Sequence, residues 1–347
     1  MRFYTTEHRF YCGVDLHARS MYLCILSNTG EVVLHRNMHT EPERFLRAIE
    51  PYRDDIVVCA ECMFTWYWLA DLCAAENIPF VLGHALYMKA IHGGKAKNDR
   101  IDSEKIARLL RSGTIPMAYV YPAGMRATRD LLRRRTYLVR KRADLLAHIQ
   151  NTNSQYNLPE FGKRIARKIH RTGLAEQFED PAVARSIAVD IELIDHYDRV
   201  ITNLERYILR TARVHDPQAL HLLQSIYGVG KIISLVILYE IHDINRFPRV
   251  QDFVSYARLV KCAKKSAGKI KGTSGRKIGN AHLKWAFSEA ATLFLRGNPA
   301  GMKYKNRLVS KHGKAKALSI LAHKLGRAAY YMLKRGQAFD MKKFLGT

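Results

Sequence analysis

The chain has 347 residues, of which 57 are Lys or Arg and 31 are Asp or Glu, so its formal net charge is +26. With 48% hydrophobic and 25% charged residues it has the composition of a globular protein, which excludes collagen-like and wholly disordered chains, and its length predicts two or three domains. The longest apolar stretch, Ile232 to Tyr239, is too short to span a bilayer, and the polar residues before Phe10 form no signal core. We therefore expect a soluble cytoplasmic protein with no membrane partner.

The first third of the chain predicts alternating strands and helices. Three short segments rich in β-forming residues predict a meander over 10–17, 21–26 and 32–36. Thr40 then predicts the cap of a helix, and the apolar segment 56–60 predicts a strand buried on both faces. Further along, the pattern predicts a helix over 64–76, a strand over 79–82 and a helix over 102–111. The order βββαβαβα predicts an α/β domain with a mixed sheet, as in the RNase H fold.

The middle of the chain, from about residue 125 to 214, predicts helices. Isoleucine recurs every seven residues and indicates a short coiled-coil seam, at Ile187, Ile194, Ile201 and Ile208. The seam could join two chains, or it could close a hairpin with residues 129–151 of the same chain. Arginines at the start of the first helix predict nucleic-acid contacts, among them Arg133, Arg134 and Arg135.

The excess positive charge lies outside the first third. Residues 1–110 hold 13 basic and 14 acidic residues, whereas residues 111–347 hold 44 and 17. From Arg249 to Lys316 there are 17 basic residues and only two acidic ones. A solvated basic face is the alternative, but this density favours nucleic acid, because basic side chains that neutralise phosphates release counterions.

A glycine turn stands between two apolar helical patterns in the last third, at Gly228-Val-Gly230-Lys231. Such a turn lets backbone N–H groups at a helix N-terminus approach a phosphate, as in helix-hairpin-helix elements. We predict phosphate contacts at Gly228, Gly230 and Lys231, with an ordinary turn as the alternative.

Four acidic residues fall where the predicted fold can gather them. Asp15 lies near the end of the first strand, and Glu61 directly follows the buried strand 56–60, which is its neighbour in an RNase H-like sheet. Asp99 and Asp102 are three residues apart at a helix start, so both can project from one face of its first turn. Neighbouring carboxylates repel each other unless a cation lies between them. The four acids therefore predict a site for one or two Mg²⁺ ions, an arrangement suited to phosphoryl transfer.

The sequence resembles the DEDD insertion-sequence transposases, now described as bridge-RNA-guided serine recombinases. The N-terminal resemblance rests on the four acids in their order, with Trp66-Tyr67-Trp68 shortly after Glu61. The C-terminal resemblance rests on Gly228-Val-Gly230, Asp243-Ile-Asn-Arg-Phe247-Pro248, Ser266-Ala-Gly268-Lys269 and Gly279-Asn-Ala-His-Leu283. Two segments depart from the family pattern: Lys265-Ser266-Ala267-Gly268 replaces Ser-Ser-Gly-Gly, and Cys62-Met63-Phe64-Thr65 replaces the usual Thr-Gly.

The resemblance implies three domains: a RuvC-like catalytic domain over 1–122, a helical coiled-coil and basic linker over 123–215, and a mainly helical transposase domain over 216–347 that supplies a nucleophilic serine. Asp15, Glu61, Asp99 and Asp102 match the catalytic metal ligands, and Ser266 matches the serine by position, with Ser274 as the fallback. Nearby cations could stabilise the charged phosphate, namely Lys264, Lys265, Lys269, Lys271, Arg276 and Lys277.

The resemblance also implies a reaction and its partners. The enzyme would form a 5′-phosphoserine link, exchange strands through a Holliday junction, and assemble as a dimer to tetramer on donor and target DNA with a structured noncoding bridge RNA, in association with the nucleoid. Two alternatives stay open. One is a metal-dependent junction nuclease in which water attacks the phosphate, and the other is a basic RNA-binding protein with an inactive RNase H-like domain.

Overall fold

The structure is a computed structural model that describes residues 2–91, 98–161, 164–274 and 278–346. It divides into two compact units, Met1–Gly124 and Met125–Thr347, called here the N-terminal and the C-terminal unit. The division into three domains stays a prediction. Within the described ranges, no helix combines the length and the apolar character needed to cross a membrane.

The N-terminal unit is built on a mixed five-stranded sheet of order β3-β2-β1-β4-β5. Its strands are β1 (Phe10–Leu16), β2 (Ser20–Ser27), β3 (Val32–His39), β4 (Ile56–Glu61) and β5 (Phe80–Gly83). The first three strands pair antiparallel, whereas β1, β4 and β5 pair parallel. Every residue of β4 before Glu61 is buried, which explains its continuous apolar run. The predicted mixed sheet is confirmed.

The helices of this unit differ from the prediction in three places. They are α1 (Pro42–Ile49), α2 (Trp66–Ala75), α3 (Ala85–Ile91) and α4 (Asp99–Arg111). The short α3 was not predicted. Thr40 does not cap α1: Glu41 holds that position, and the Thr40 hydroxyl donates to the carbonyl of His17. Helix α4 begins three residues earlier than predicted, because the Asn98 side chain accepts a hydrogen bond from the Ile101 N–H and caps it.

Helix α4 packs directly on strand β1 at Gly13. A Cβ atom at this position would lie 2.3 Å from the carbonyl oxygen of Ser103 and 2.4 Å from the backbone nitrogen of Ala107. Both distances are far below van der Waals contact, so only glycine lets the helix backbone come this close. The contact fixes α4 against the strand that carries Asp15.

We expect Gly13→Ala to lower the free energy of unfolding by about 1 to 3 kcal/mol, because the added methyl group must push α4 away from β1. Urea unfolding followed by circular dichroism measures the change. Gly124→Ala is the matched control, since a Cβ there meets nothing within 4 Å among the described residues. Equal stability of the two variants would contradict the close contact.

The C-terminal unit is mainly helical, with one small hairpin of strands β6 (Cys262–Ser266) and β7 (Lys269–Ser274). A large apolar cluster contains residues of α8, α10 and α12, and α8 is buried from Ile233 to Ile241. The helices are α5 (Ala123–Gln155), α6 (Pro181–Thr211), α7 (Pro217–Gln224), α8 (Lys231–Ile241), α9 (Val250–Tyr256), α10 (Ala281–Phe294), α11 (Pro299–His312), α12 (Lys314–Arg335) and α13 (Met341–Leu345).

Helices α5 and α6 form an antiparallel hairpin within the chain. Two ion pairs join them, Arg135 to Glu205 and Arg142 to Asp198, together with a hydrogen bond between His148 and Asp190. The four isoleucines of the predicted seam are all buried. Ile187 and Ile194 pack in one cluster with Ile149 of α5. Of the two interpretations of the seam, the intramolecular hairpin is the one observed.

A buried ion cluster ties α5, α8 and α10 together around Glu240. The carboxylate of Glu240 accepts hydrogen bonds from Arg129 Nε at 3.0 Å, from Arg133 Nε at 2.6 Å and from Asn280 Nδ2 at 2.7 Å. Its side chain is only 3% exposed. Burial alone would raise the pKa of Glu240, but the paired arginines and Asn280 outweigh burial and lower the pKa to about 2. Glu240 therefore stays ionised and holds the two arginines.

His282, beside this cluster, gives the C-terminal unit a pH-dependent stability. Burial, and then the positive charge of Arg133, lower the pKa of His282 from 6.5 to about 4. The unfolded chain thus takes up this proton at higher pH than the folded chain does. We expect the contribution of His282 to the free energy of unfolding to be fully present above pH 6.5. The free energy of unfolding should then fall by about 2 to 3 kcal/mol as the pH drops to about 4.

Urea unfolding between pH 7.5 and 4 measures this loss, and His282→Gln should remove most of it. The contribution of Glu240 can be separated from that of His282. The folded chain lowers the pKa of Glu240 below its ordinary value of 4.5, so the stability that Glu240 contributes is lost only below about that pH. An unchanged pH slope in His282→Gln would show that other groups cause the loss.

Candidate metal centre and nucleic-acid surface

Asp15 and Glu61 lie at the same edge of the sheet. In the parallel pair of β1 and β4, Val14 is the register partner of Ala60. Asp15 and Glu61 are the next residues on these two strands, so they come side by side. The side chain of Asp15 is 15% exposed, and Glu61 is half-buried at the end of β4. This placement follows the prediction that the two acids share the carboxyl edge of the central strands.

Asp99 and Asp102 lie in the first turn of α4, also as predicted. The Asp99 side chain is 54% exposed, whereas that of Asp102 is 27% exposed and lies 3.3 Å from the ammonium of Lys105. Because Gly13 holds α4 against β1, this turn comes close to the end of β1. The negative charges of Asp99 and Asp102 both act to raise the pKa of Asp15.

Asp15 and Asp99 meet at a histidine that was not predicted. The Nε2 atom of His17 lies 3.4 Å from Oδ2 of Asp15 and 3.4 Å from Oδ1 of Asp99. One ligand atom from each residue lies within 4.8 Å of the other two, and within the described ranges no other group of three such residues does so. Glu61 and Asp102 fall outside this tight group. The spacing of two residues between Asp15 and His17 is visible in the sequence and could have indicated a shared site. The contact of His17 with Asp99 depends on the fold.

The carboxyl group of Asp15 has a raised pKa. Burial raises it most, the neighbouring Asp99 and Asp102 raise it further, and His17 lowers it in part. A carboxylate crowded by others in this way gains from a cation placed between them. Two carboxylate oxygens and an imidazole nitrogen suit a divalent cation, so the residues fit the predicted metal centre.

The loop after Glu61 presents an exposed phenylalanine at this edge. The Phe64 side chain is 82% exposed, while the ends of its loop are fixed: the Cys62 N–H donates to the carbonyl of Gly83, and Thr65 Oγ1 donates to the carbonyl of Leu16 at 2.9 Å. Trp66 is only 5% exposed. The aromatic run that follows therefore belongs mainly to the core, and Phe64 is the ring available to a ligand.

Ser266 ends β6 at a tight hairpin turn. It pairs with Lys269 of β7 across Ala267 and Gly268, which both have positive φ, 50° and 74°. Positive φ at both central residues is typical of a two-residue type I′ hairpin turn. Ser266 and Lys269, on either side of this turn, are both exposed. Of the other cations predicted around it, Lys271 is exposed on β7, Lys264 and Lys265 belong to β6, and Arg276 and Lys277 lie outside the described residues.

The two glycines of the predicted phosphate turn differ in what surrounds them. Gly228 has φ +80°, and a Cβ there would lie 2.6 Å from the carbonyl carbon of Leu293, so α10 requires this glycine. Gly230 caps α8 and faces open space among the described residues, and Lys231 beside it is exposed. Packing thus accounts for Gly228, whereas Gly230 and Lys231 are placed where a phosphate can approach.

Two of the three arginines predicted to contact nucleic acid have internal partners. Arg133 pairs with buried Glu240, and Arg135 pairs with Glu205 of α6. Arg134 is exposed, with its guanidinium 5.2 Å from the ring centroid of Tyr137. The partners of Arg133 and Arg135 stand far along the chain, so the local basic run could not reveal them.

A basic stripe that was not predicted runs along α11. Lys303, Arg307 and Lys311 are spaced by four residues and are all exposed, so they share one face of the helix. The high density of basic residues over 249–316 indicated a basic surface. The bounds of α11 are needed to show which of these residues share one face of the helix.

Comparison with known proteins identifies the family. A model described as DEDD_Tnp_IS110, a transposase, matches residues 12–157, and a model described as the transposase IS116/IS110/IS902 family matches residues 220–306. The chain is also similar to the "Putative transposase y4qE" of Sinorhizobium fredii, with 25% identity over 294 residues, which are 84% of this chain and 72% of that protein. The first matched region contains the four acids and the second contains Ser266. The chain belongs to the IS116/IS110/IS902 family of DEDD transposases.

Proposed function

We propose that this transposase is an RNA-guided DNA recombinase of an insertion sequence. Its family is one of enzymes that cut and rejoin DNA. The observation that carries the proposal is the group of Asp15, His17 and Asp99 at the carboxyl edge of the mixed sheet, with Glu61 on the adjacent strand and Asp102 in the same helix turn. DNA is the substrate, and the charge of the chain suits it.

Asp15, Glu61, Asp99 and Asp102 would hold Mg²⁺. When bound, a divalent cation stabilises the negative charge that develops on the phosphate oxygens during phosphoryl transfer. The carboxylates supply hard oxygen ligands, and the contact at Gly13 fixes the distance between those on the strands and those on α4. The raised pKa of Asp15 supports this role, because a group crowded by acids gains most from a cation.

Ser266 would be the nucleophile. Its Oγ attacks the scissile phosphorus, the Oγ–P bond forms as the bond from phosphorus to the 3′ oxygen breaks, and the serine proton is balanced by the proton that the leaving 3′-hydroxyl gains. The product is a 5′-phosphoserine link. Rejoining reverses the step with the 3′-hydroxyl of another strand. The exposed position of Ser266 at the hairpin tip, with exposed Lys269 next to it, supports access to a phosphate.

A structured noncoding RNA pairs with donor and target DNA, strand exchange passes through a Holliday junction, and two to four copies of the chain assemble on the DNA. Exposed cations of the C-terminal unit support nucleic-acid contacts, above all Lys231 next to the open Gly230, Arg134, and the α11 stripe.

The experiment combines the purified protein with the RNA that flanks its gene, labelled donor and target DNA, and Mg²⁺. We expect joined recombinant strands that require all of these components and disappear with EDTA. Cleavage without joining and without RNA would replace the proposal with a metal-dependent junction nuclease. RNA binding without any cleavage would indicate an inactive RNase H-like domain.

We expect charge reversal on the α11 stripe to weaken nucleic-acid binding. Lys303→Glu with Arg307→Glu should lower affinity about tenfold or more and reduce the slope of log affinity against log salt by about 2. Arg206→Glu with Arg210→Glu makes the same charge change on exposed positions of α6. Filter binding at several salt concentrations compares the two. An equal loss in both variants would mean that net charge, and not the stripe, governs binding.

A further inference from the structure

We propose that His17 is a nitrogen ligand of the cation held by Asp15 and Asp99. The inference rests on the proposed metal centre and adds to it a residue that the four acids do not include. It also makes the centre a mixed oxygen and nitrogen site.

The distances suit three adjacent ligands of one ion. In an octahedral site with metal–ligand bonds of about 2.1 Å, neighbouring ligand atoms lie about 3.0 Å apart and opposite ones about 4.2 Å apart. The Nε2 atom of His17 lies 3.4 Å from an oxygen of each carboxylate, and all three atoms lie within 4.8 Å of one another. A movement of about 0.4 Å would bring Nε2 of His17 to the spacing of a ligand next to either carboxylate oxygen.

The backbone of His17 is held in place at the end of β1. Its N–H donates to the carbonyl of Ser20 at 2.9 Å, and its carbonyl accepts from Thr40 Oγ1 at 3.0 Å. The imidazole thus projects from a fixed turn between β1 and β2. It is half exposed, yet its Nε2 lies near two carboxylates from different elements, a strand and a helix.

A nitrogen ligand changes which ions the centre prefers. Mg²⁺ favours oxygen ligands and binds imidazole poorly, whereas Mn²⁺, a transition-metal ion, accepts an imidazole nitrogen beside carboxylate oxygens. His17 should therefore contribute strongly to the affinity for Mn²⁺ and little to that for Mg²⁺. If His17 only donated a hydrogen bond to position the carboxylates, its loss would weaken both ions alike.

The test is electron spin echo envelope modulation on the full chain loaded with one equivalent of Mn²⁺, which detects a nitrogen bound directly to the ion. We expect nitrogen modulation in the natural protein, its loss in His17→Ala and His17→Asn, and its retention in His39→Ala, an exposed histidine on β3. Titration should give about tenfold weaker Mn²⁺ binding in His17→Ala, with Mg²⁺ affinity changed less than about twofold. Circular dichroism checks that each variant is folded.

The outcomes separate this inference from the metal centre itself. Saturable Mn²⁺ binding that Asp15→Asn abolishes, but without nitrogen modulation in the natural protein, would overturn the role of His17 and leave the carboxylate site intact. Equal weakening of Mn²⁺ and Mg²⁺ in His17→Ala would also overturn it. Absence of any saturable Mn²⁺ binding would remove the proposed metal centre and the His17 ligand together.

Discussion

Asp15→Asn should reduce DNA cleavage by about 10² to 10³-fold or more, because one charged ligand at a preorganised site is removed without a change of shape. The same substitution should leave the metal-free protein as stable as before, or more stable. The pKa of Asp15 is raised in the folded chain by burial and by Asp99 and Asp102, so its ionised form opposes folding at neutral pH. Loss of activity together with retained stability is the signature of a binding group that the fold itself does not need.

Cleavage of labelled DNA and urea unfolding measure the two effects on one preparation. Asp54→Asn is the matched control, since it makes the same change on an exposed aspartate of the same unit. Cleavage by Asp15→Asn at the natural rate would exclude Asp15 from the metal centre. A large loss of stability would show that Asp15 is a structural residue.

Glu240→Ala should lower the free energy of unfolding of the C-terminal unit by about 3 to 5 kcal/mol, because it leaves two buried or partly buried arginines without their partner. Arg129 and Arg133 both pair with this carboxylate, and Asn280 loses a hydrogen-bond acceptor as well. Since the cluster joins α5, α8 and α10, its loss should loosen all three helices at once.

Urea unfolding followed by far-UV circular dichroism measures the change. Glu192→Ala is the control, because it removes an exposed ion pair with Arg185 and should cost no more than about 1 kcal/mol. If Glu240→Ala cost as little as this control, the buried cluster would not be the element that joins the three helices.

Elements with strong local patterns could be predicted from the sequence. The apolar run before Glu61 has the length and composition of a buried strand, and the acids after Val14 and Ala60 follow the register of two parallel strands. The start of α4 was placed too late because the cap is Asn98, three residues before the first apolar position. Helix α3 was missed because its seven residues are too few for a clear period.

Features that depend on distant residues could not be predicted. Arg133 belongs to a basic run, yet its partner Glu240 stands 107 residues further on and pairs with its charge. Gly228 has the sequence of a phosphate turn, but its conformation is required by the backbone of α10. His17 gains its significance from Asp99, which reaches it only because α4 packs on Gly13.

The most direct test of the proposed recombinase is to trap its covalent intermediate. The protein is combined with RNA, labelled donor and target DNA, and Mg²⁺, and the DNA is separated by denaturing electrophoresis. We expect a slow, protease-sensitive adduct that is absent in Ser266→Ala and in Asp102→Ala and present in Ser274→Ala. Such a result would join the serine and the carboxylates in one catalytic unit. Cleavage by Ser266→Ala at the natural rate, with no adduct in any lane, would contradict the account and identify water as the nucleophile.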